Sequence, residues 1–319
     1  MSFESKLPAI LRVTPAIILQ SGASARFAWE EFFFARIRNE HTRRAYFRAV
    51  SNFLSWCEQQ GLALTRIAPA HVGRYLEQCQ VSIASKKQVL AGLRHFFDCQ
   101  VTRHAIALNP ALSVRTERYS VVEGKTPEIT VRQARHLLKS IDSSEILGLR
   151  DKCIIAILVY TAARIGAVAK LEIDDLYDTG DQYCLHFIDK GGKSREIPVR
   201  HDLQLLLFEY RKQMGLRDGI EKGKALFPTC VRRTKAFSNR SMTSNDIGRM
   251  VKRRMATAGL PPRLSPHSFR VATITDLLEQ GVPLEEVQNL AGHADPRTTR
   301  LYDRRQRKVT RNIVERISV

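Results

Sequence analysis

Four side chains near the end of the chain could act together on a phosphate. His267 and Arg270 stand three residues apart, His293 follows Gly292, and Tyr302 comes nine residues later. A guanidinium can fork onto two oxygens of an anion, and an imidazole titrates near neutrality. A phenol oxygen becomes a nucleophile once a base accepts its proton. The set suits an anion site with a nucleophile beside it. Taken singly, each residue type is more often a packed or solvated side chain, so the weight lies in order and spacing. Helices must deliver them. Ser265 can cap a helix that begins at Pro266, where the missing N–H costs nothing. On that helix His267 and Arg270 share one face near the positive end. Asp295-Pro296 is a second cap-plus-proline start, and it opens a helix carrying Tyr302.

This ordered set resembles the tyrosine recombinase family, the phage integrases and their bacterial relatives, whose catalytic half ends in this series of boxes. Two more members that the resemblance implies are present upstream. Arg164 sits in Thr161-Ala-Ala-Arg164-Ile-Gly, and Lys190 in Asp189-Lys190-Gly-Gly-Lys193. The family's reaction is strand transfer through a covalent DNA–protein link. On the resemblance, Arg164 and Arg270 hold the non-bridging oxygens, His293 adds a hydrogen bond, and His267 handles the tyrosine proton. Lys190 protonates the leaving 5′ oxygen, and Tyr302 becomes the 3′-phosphotyrosyl linkage. The link keeps the phosphoester energy, so no nucleotide or metal cofactor is implied. The chain has neither a glycine-rich phosphate loop nor a convergent carboxylate cluster. It departs from the family at Ala162, usually glycine, and at Ala167, usually an acid, with smaller changes at Ser268-Phe269 and Ala291. The missing acid leaves open how the neighbouring histidine is oriented.

Composition names the partner. Lys and Arg number 51 against 32 Asp and Glu, a formal charge of +19 in 319 residues, which calls for a polyanion. The longest apolar run, 153–160, is far too short to span a membrane, so nucleic acid is expected and a membrane is not. Six scattered cysteines without metal-ligand spacing suit reduced thiols in a bacterial cytoplasm, at the nucleoid. Arg12 and Pro15 interrupt the weakly apolar residues 7–20, which argues against a signal peptide.

Taken in order, residues 1–25 read as an extension of uncertain structure. Residues 26–113 read as an all-helical domain. A helix over 42–56 has an apolar stripe that leaves Arg43, Arg44 and Arg48 off it, and one over 85–97 does the same with Lys86, Lys87 and Arg94. Such cations are usually a solvated face, but the charge makes them candidate DNA contacts, with Lys193 as another. The arrangement is similar to the family's core-binding domain. Residues 114–125 read as a linker and 126–319 as the catalytic domain. There Thr130 and Gln133 form a capping box, and a buried helix covers 148–160. Arg164 follows that helix, where a cation suits its C-terminal dipole. A hairpin of 183–188 and 195–199 has Lys190 at its tip, and 203–254 reads as mostly helical.

The expectation is a mainly α protein with a small β-hairpin, its two domains forming a C-shaped clamp on double-stranded DNA. By resemblance it works as a homo-tetramer on synapsed sites, with a second recombinase or accessory proteins left open. The segment around Tyr302 looks like recombinases of mobile elements. A type IB topoisomerase-like enzyme and an inert DNA-binding accessory protein are the alternatives.

Overall fold

The computed structural model describes residues 14–117, 126–189, 192–215, 223–231, 234 and 236–303. Lys190 and the cation-rich tail after Asp303 lie outside the described residues, as do 118–125 of the expected linker. Contacts divide the chain into two units, Met1–Ser120 and Val121–Val319.

The first unit is helical: α1 (Ala16–Gln20), α2 (Ala23–Glu30), a π-helical turn (Glu31–Arg36), α3 (Glu40–Gln59), α4 (Pro69–Gln78) and α5 (Ile83–Thr102). The two long helices start where polar side chains satisfy their first N–H groups. Asn39 accepts from Thr42 N–H at 3.0 Å, and Ser82 accepts from Ser85 N–H at 3.2 Å. Their apolar stripes close on an aromatic core, in which Trp29 meets Phe33, Phe47 and Phe96 edge-on at centroid distances of 4.6, 5.6 and 6.0 Å. Ile17 and Ile18 are buried in the same core. The helical body therefore starts before residue 26, inside the expected extension. Burying these two branched side chains outweighs the weak local helix signal.

The second unit begins with α6 (Val131–Ser140), where Thr130 and Gln133 exchange the two hydrogen bonds of the capping box, at 3.0 and 3.2 Å. Helix α7 (Ile146–Thr161) is apolar nearly all round and runs through the core. A short α8 (Ile165–Val168) leads to an antiparallel sheet of β1 (Leu176–Asp178), β2 (Tyr183–Ile188) and β3 (Ser194–Pro198), in that order. Leu185 pairs with Ile197 in the register, so the buried faces of β2 and β3 coincide. After α9 (His201–Gln213) come β4 (Pro228–Cys230) and β5 (Phe237–Ser241), a hairpin where helix was expected. These strands are too short to set an alternating pattern in the sequence. Helices α10 (Ser244–Thr257), α11 (Pro266–Glu279), α12 (Leu284–Ala291) and α13 (Pro296–Arg300) complete the described unit. No helix among the described residues is long and apolar enough to cross a membrane.

Candidate active site

The C-terminal end of α7 lays the site's foundation. The helix stops because Ala162 adopts a left-handed conformation, φ 50° and ψ 23°. A side chain with a Cβ is strained there by about 1–2 kcal/mol. The turn redirects the chain, and Arg164 becomes the residue before α8 rather than the last charge of α7. The expected dipole pairing at the α7 terminus is thus not its role. Its Nη1 donates to Asp189 Oδ1 at 3.3 Å.

Helix α11 starts at Pro266 as expected, but its cap bond runs the other way: the Ser265 N–H donates to Ser268 Oγ at 3.0 Å. Arg270 is buried, 1% exposed, and donates to the carbonyl oxygens of Ala162 and Ala291. Those carbonyls lie at the C-terminal ends of α7 and α12, where helical carbonyls lack partners. One guanidinium thereby joins three segments. Burial and the neighbouring Arg164 pull its pKa down to about 10, so it stays charged at neutral pH. Arg270 Nε and Arg195 Nη2 are buried and have no hydrogen-bond partner among the described residues. Unmet buried donors are costly, and an incoming anion would satisfy them.

Helix α12 ends on Gly292, whose φ of 60° favours glycine. A Cβ there would also come within 2.8 Å of Asp189 Oδ2 and 3.1 Å of Arg195 Nε, so the position is crowded as well as left-handed. Next in sequence, His293 is buried, its Nδ1 2.9 Å from Thr299 Oγ1. Its ring stacks on Tyr302 with centroids 5.9 Å apart and planes 10° from parallel. Burial first, then Arg270 and Arg164, push its pKa down to about 3. Asp295 caps α13, its side chain accepting from Arg297 N–H at 2.9 Å. The helix is only five residues long, and Tyr302 lies two positions beyond it. The Tyr302 hydroxyl is 3.4 Å from His267 Nε2. The pKa of His267 is lowered too, by burial and then by Arg270 and Arg164. Both imidazoles are therefore neutral at pH 7, and that of His267 can accept a proton from the phenol.

Of the six residues expected in the site, Arg164, His267, Arg270, His293 and Tyr302 come together, while Lys190 lies outside the described residues. Sequence reasoning missed Asp189, Arg195 and Thr299; Asp189 and Arg195 have partners distant in the chain, Arg164 and Leu290, whereas Thr299 meets the nearby His293. Asp189 is buried and also accepts from Arg195 Nε at 3.0 Å. Among the described residues no three His, Cys, Asp or Glu side chains gather as metal ligands.

The cations proposed for DNA contact fare unequally. Arg43 is committed to the Ile37 carbonyl, with donor distances of 3.1 and 2.6 Å, which closes the π-helical turn. Arg94 donates to the carbonyls of Ala111 and Val114 and holds that segment against α5. Arg44 pairs with Glu40 at 2.6 Å on an exposed surface. Arg48, Lys87 and Lys193 are exposed and Lys86 is half-buried.

Residues 127–308 match the family model described as "Phage integrase family", and 28–104 match "Phage integrase, N-terminal SAM-like domain". Among curated relatives, "Tyrosine recombinase XerD" of Listeria monocytogenes serotype 4b is 28% identical over 275 residues, covering 82% of this chain and 87% of its own. Among solved structures, the XerH site-specific recombinase in a post-cleavage complex with its difH substrate superposes with a TM-score of 0.70 at 19% identity, covering 96% of this chain and 92% of that one. A lambda integrase tetramer bound to a Holliday junction gives 0.64 at 16% identity, covering 90% and 79%. With more than half its length matched and the family's residues gathered at one site, the chain belongs to the phage integrase family, the tyrosine recombinases.

Proposed function

We propose that this protein is a site-specific recombinase that cuts and rejoins strands of double-stranded DNA, with Tyr302 as nucleophile. One observation carries the assignment of roles: the Tyr302 hydroxyl lies 3.4 Å from the neutral His267 imidazole, beside Arg164, Arg270 and His293. His267 accepts the phenol proton as the oxygen attacks phosphorus. Arg164 and Arg270 stabilise the added charge of the pentavalent state from positions set before the reaction. When the Thr299 hydroxyl donates to Nδ1 of His293, Nε2 carries the ring proton and donates a hydrogen bond to a phosphate oxygen. Lys190 protonates the 5′ oxygen that leaves, and that hydroxyl later attacks the phosphotyrosine to reseal a strand.

The same reading includes two DNA-binding domains, the helical unit that begins with α1 and residues 126–319, acting on one duplex, with a tetramer on two synapsed sites and action in the bacterial cytoplasm. Its finer part, a mobile-element substrate, rests on the residues around Tyr302. On a nicked duplex carrying the selected target site, the wild type should form an adduct that survives denaturant. Tyr302→Phe should form none while binding the duplex normally. An adduct with the Phe variant would eliminate Tyr302 as the nucleophile.

A further inference from the structure

We propose that Asp189 is a positioning residue, which couples the anchored guanidinium of Arg195 to Arg164 and so aims Arg164 at the scissile phosphate. The proposal rests on the reading of Arg164 as a phosphate-binding group.

The two arginines differ in how they are held. Arg195 is fixed: its Nη1 donates to the carbonyls of Thr161 and Leu290, and its guanidinium lies 5.2 Å from the centroid of the Phe187 ring. The side chain of Arg164 is 41% exposed, and Asp189 is its one hydrogen-bond partner among the described residues. A long side chain left free must give up rotamer freedom when it engages an anion. Asp189 removes part of that cost beforehand. Its Oδ2 takes the Nε of the fixed arginine at 3.0 Å, and its Oδ1 holds the more exposed one at 3.3 Å.

The carboxylate is itself immobilised. It is 7% exposed, and Gly292 lies so close that a Cβ at that position would come within 2.8 Å of Oδ2. Glycine at 292 thus leaves room for the carboxylate that holds Arg164. Charge points the same way. Arg164, Arg195 and Arg270 each perturb groups in the site, and an interior carboxylate offsets their mutual repulsion before DNA arrives. At position 167, three residues beyond Arg164, an acid is lacking and Ala167 is buried. Asp189 supplies a carboxylate from the neighbouring hairpin instead.

The test compares Asp189→Asn with wild type in single-turnover cleavage of a suicide duplex, using a phosphate or a methylphosphonate at the scissile position. The asparagine keeps size and an acceptor but loses charge. On phosphate, cleavage should slow by about 10- to 100-fold, less than or comparable to losing a preorganised donor outright. A methylphosphonate has no negative charge and one fewer oxygen for Arg164. In one of its two diastereomers the Asp189→Asn defect should shrink to about threefold or less, because an unaimed Arg164 no longer matters. A purely packing role would slow all three substrates equally. That equality, or undiminished cleavage of phosphate, overturns the proposal. If Asp189→Asn fails to fold by thermal melting, Asp189→Glu keeps the charge and displaces it by one methylene, and the same contrast between substrates decides. A wild-type protein that forms no adduct would refute the recombinase reading and this proposal together, whereas a cleaving wild type with an unimpaired Asn variant refutes only the proposal.

Discussion

At the scale of single residues, the site is one in which burial controls protonation. His293 is held neutral in the fold, with its pKa near 3, whereas an unfolded histidine titrates near 6.5. Between these values the unfolded chain binds the extra proton, so stability is complete above about pH 6.5 and falls as pH drops toward 3. His293 alone should cost up to about 1.4 kcal/mol per pH unit in that window. Urea melts from pH 7.5 to 4.5 check this, and His293→Gln should flatten the dependence. An equally steep curve in the variant would place the effect elsewhere. Lys190 allows a chemical test. Lys190→Ala should slow cleavage of an ordinary phosphodiester far more than one whose leaving oxygen is sulfur, because a thiolate departs without a proton. Equal slowing would make Lys190 a groove contact. Four of the gathered residues were legible from type and spacing, and Arg164 only through the family resemblance that those four carry. Asp189 was not, since its partners are Arg164, before α8, and Arg195, on the next strand β3, and an acid next to a lysine looks like any surface pair.

At the scale of elements, helix ends determine the site. Helix α7 was readable from its apolar run, and α11 from Ser265-Pro266, but not the turn that ends α7. Ala162 occupies a left-handed position where the family usually has glycine, and only the backbone shows what that glycine is for. Ala162→Gly should relieve the strain and stabilise the protein by roughly 1 kcal/mol, less the extra freedom glycine gives the unfolded chain. The expected net gain in melting temperature is at most about 2 °C. A lower melting temperature would show that neighbours, not local strain, set this turn. The β4–β5 hairpin was illegible for a different reason: its shifted register between Pro228 and Cys230 breaks any alternation. Arg43 and Arg94 carry a similar lesson. Both lie off an apolar stripe, as DNA contacts would, yet each satisfies backbone carbonyls of its own unit.

At the scale of the whole molecule, charge and division into two units govern binding. With +19 formal charge, affinity for duplex DNA should fall steeply with salt, with a log–log slope of about −0.9 per phosphate contacted. Separating the halves within 118–125 should weaken binding, since the linker makes the second contact intramolecular. Titrations at several salt concentrations with the full chain and the 126–319 fragment check both points. A fragment as tight and selective as the full chain would refute a DNA-binding role for the helical unit. The way Arg270 is held has a further consequence, for the cell that makes the protein. Its guanidinium needs carbonyls at 162 and 291, and the tyrosine it serves comes eleven residues later still. A nascent chain that stops short of residue 291 therefore lacks one of the carbonyls that hold Arg270, and one that stops short of 302 lacks the proposed nucleophile. On the proposed roles, synthesis must pass residue 302 before this polypeptide can cut a DNA strand.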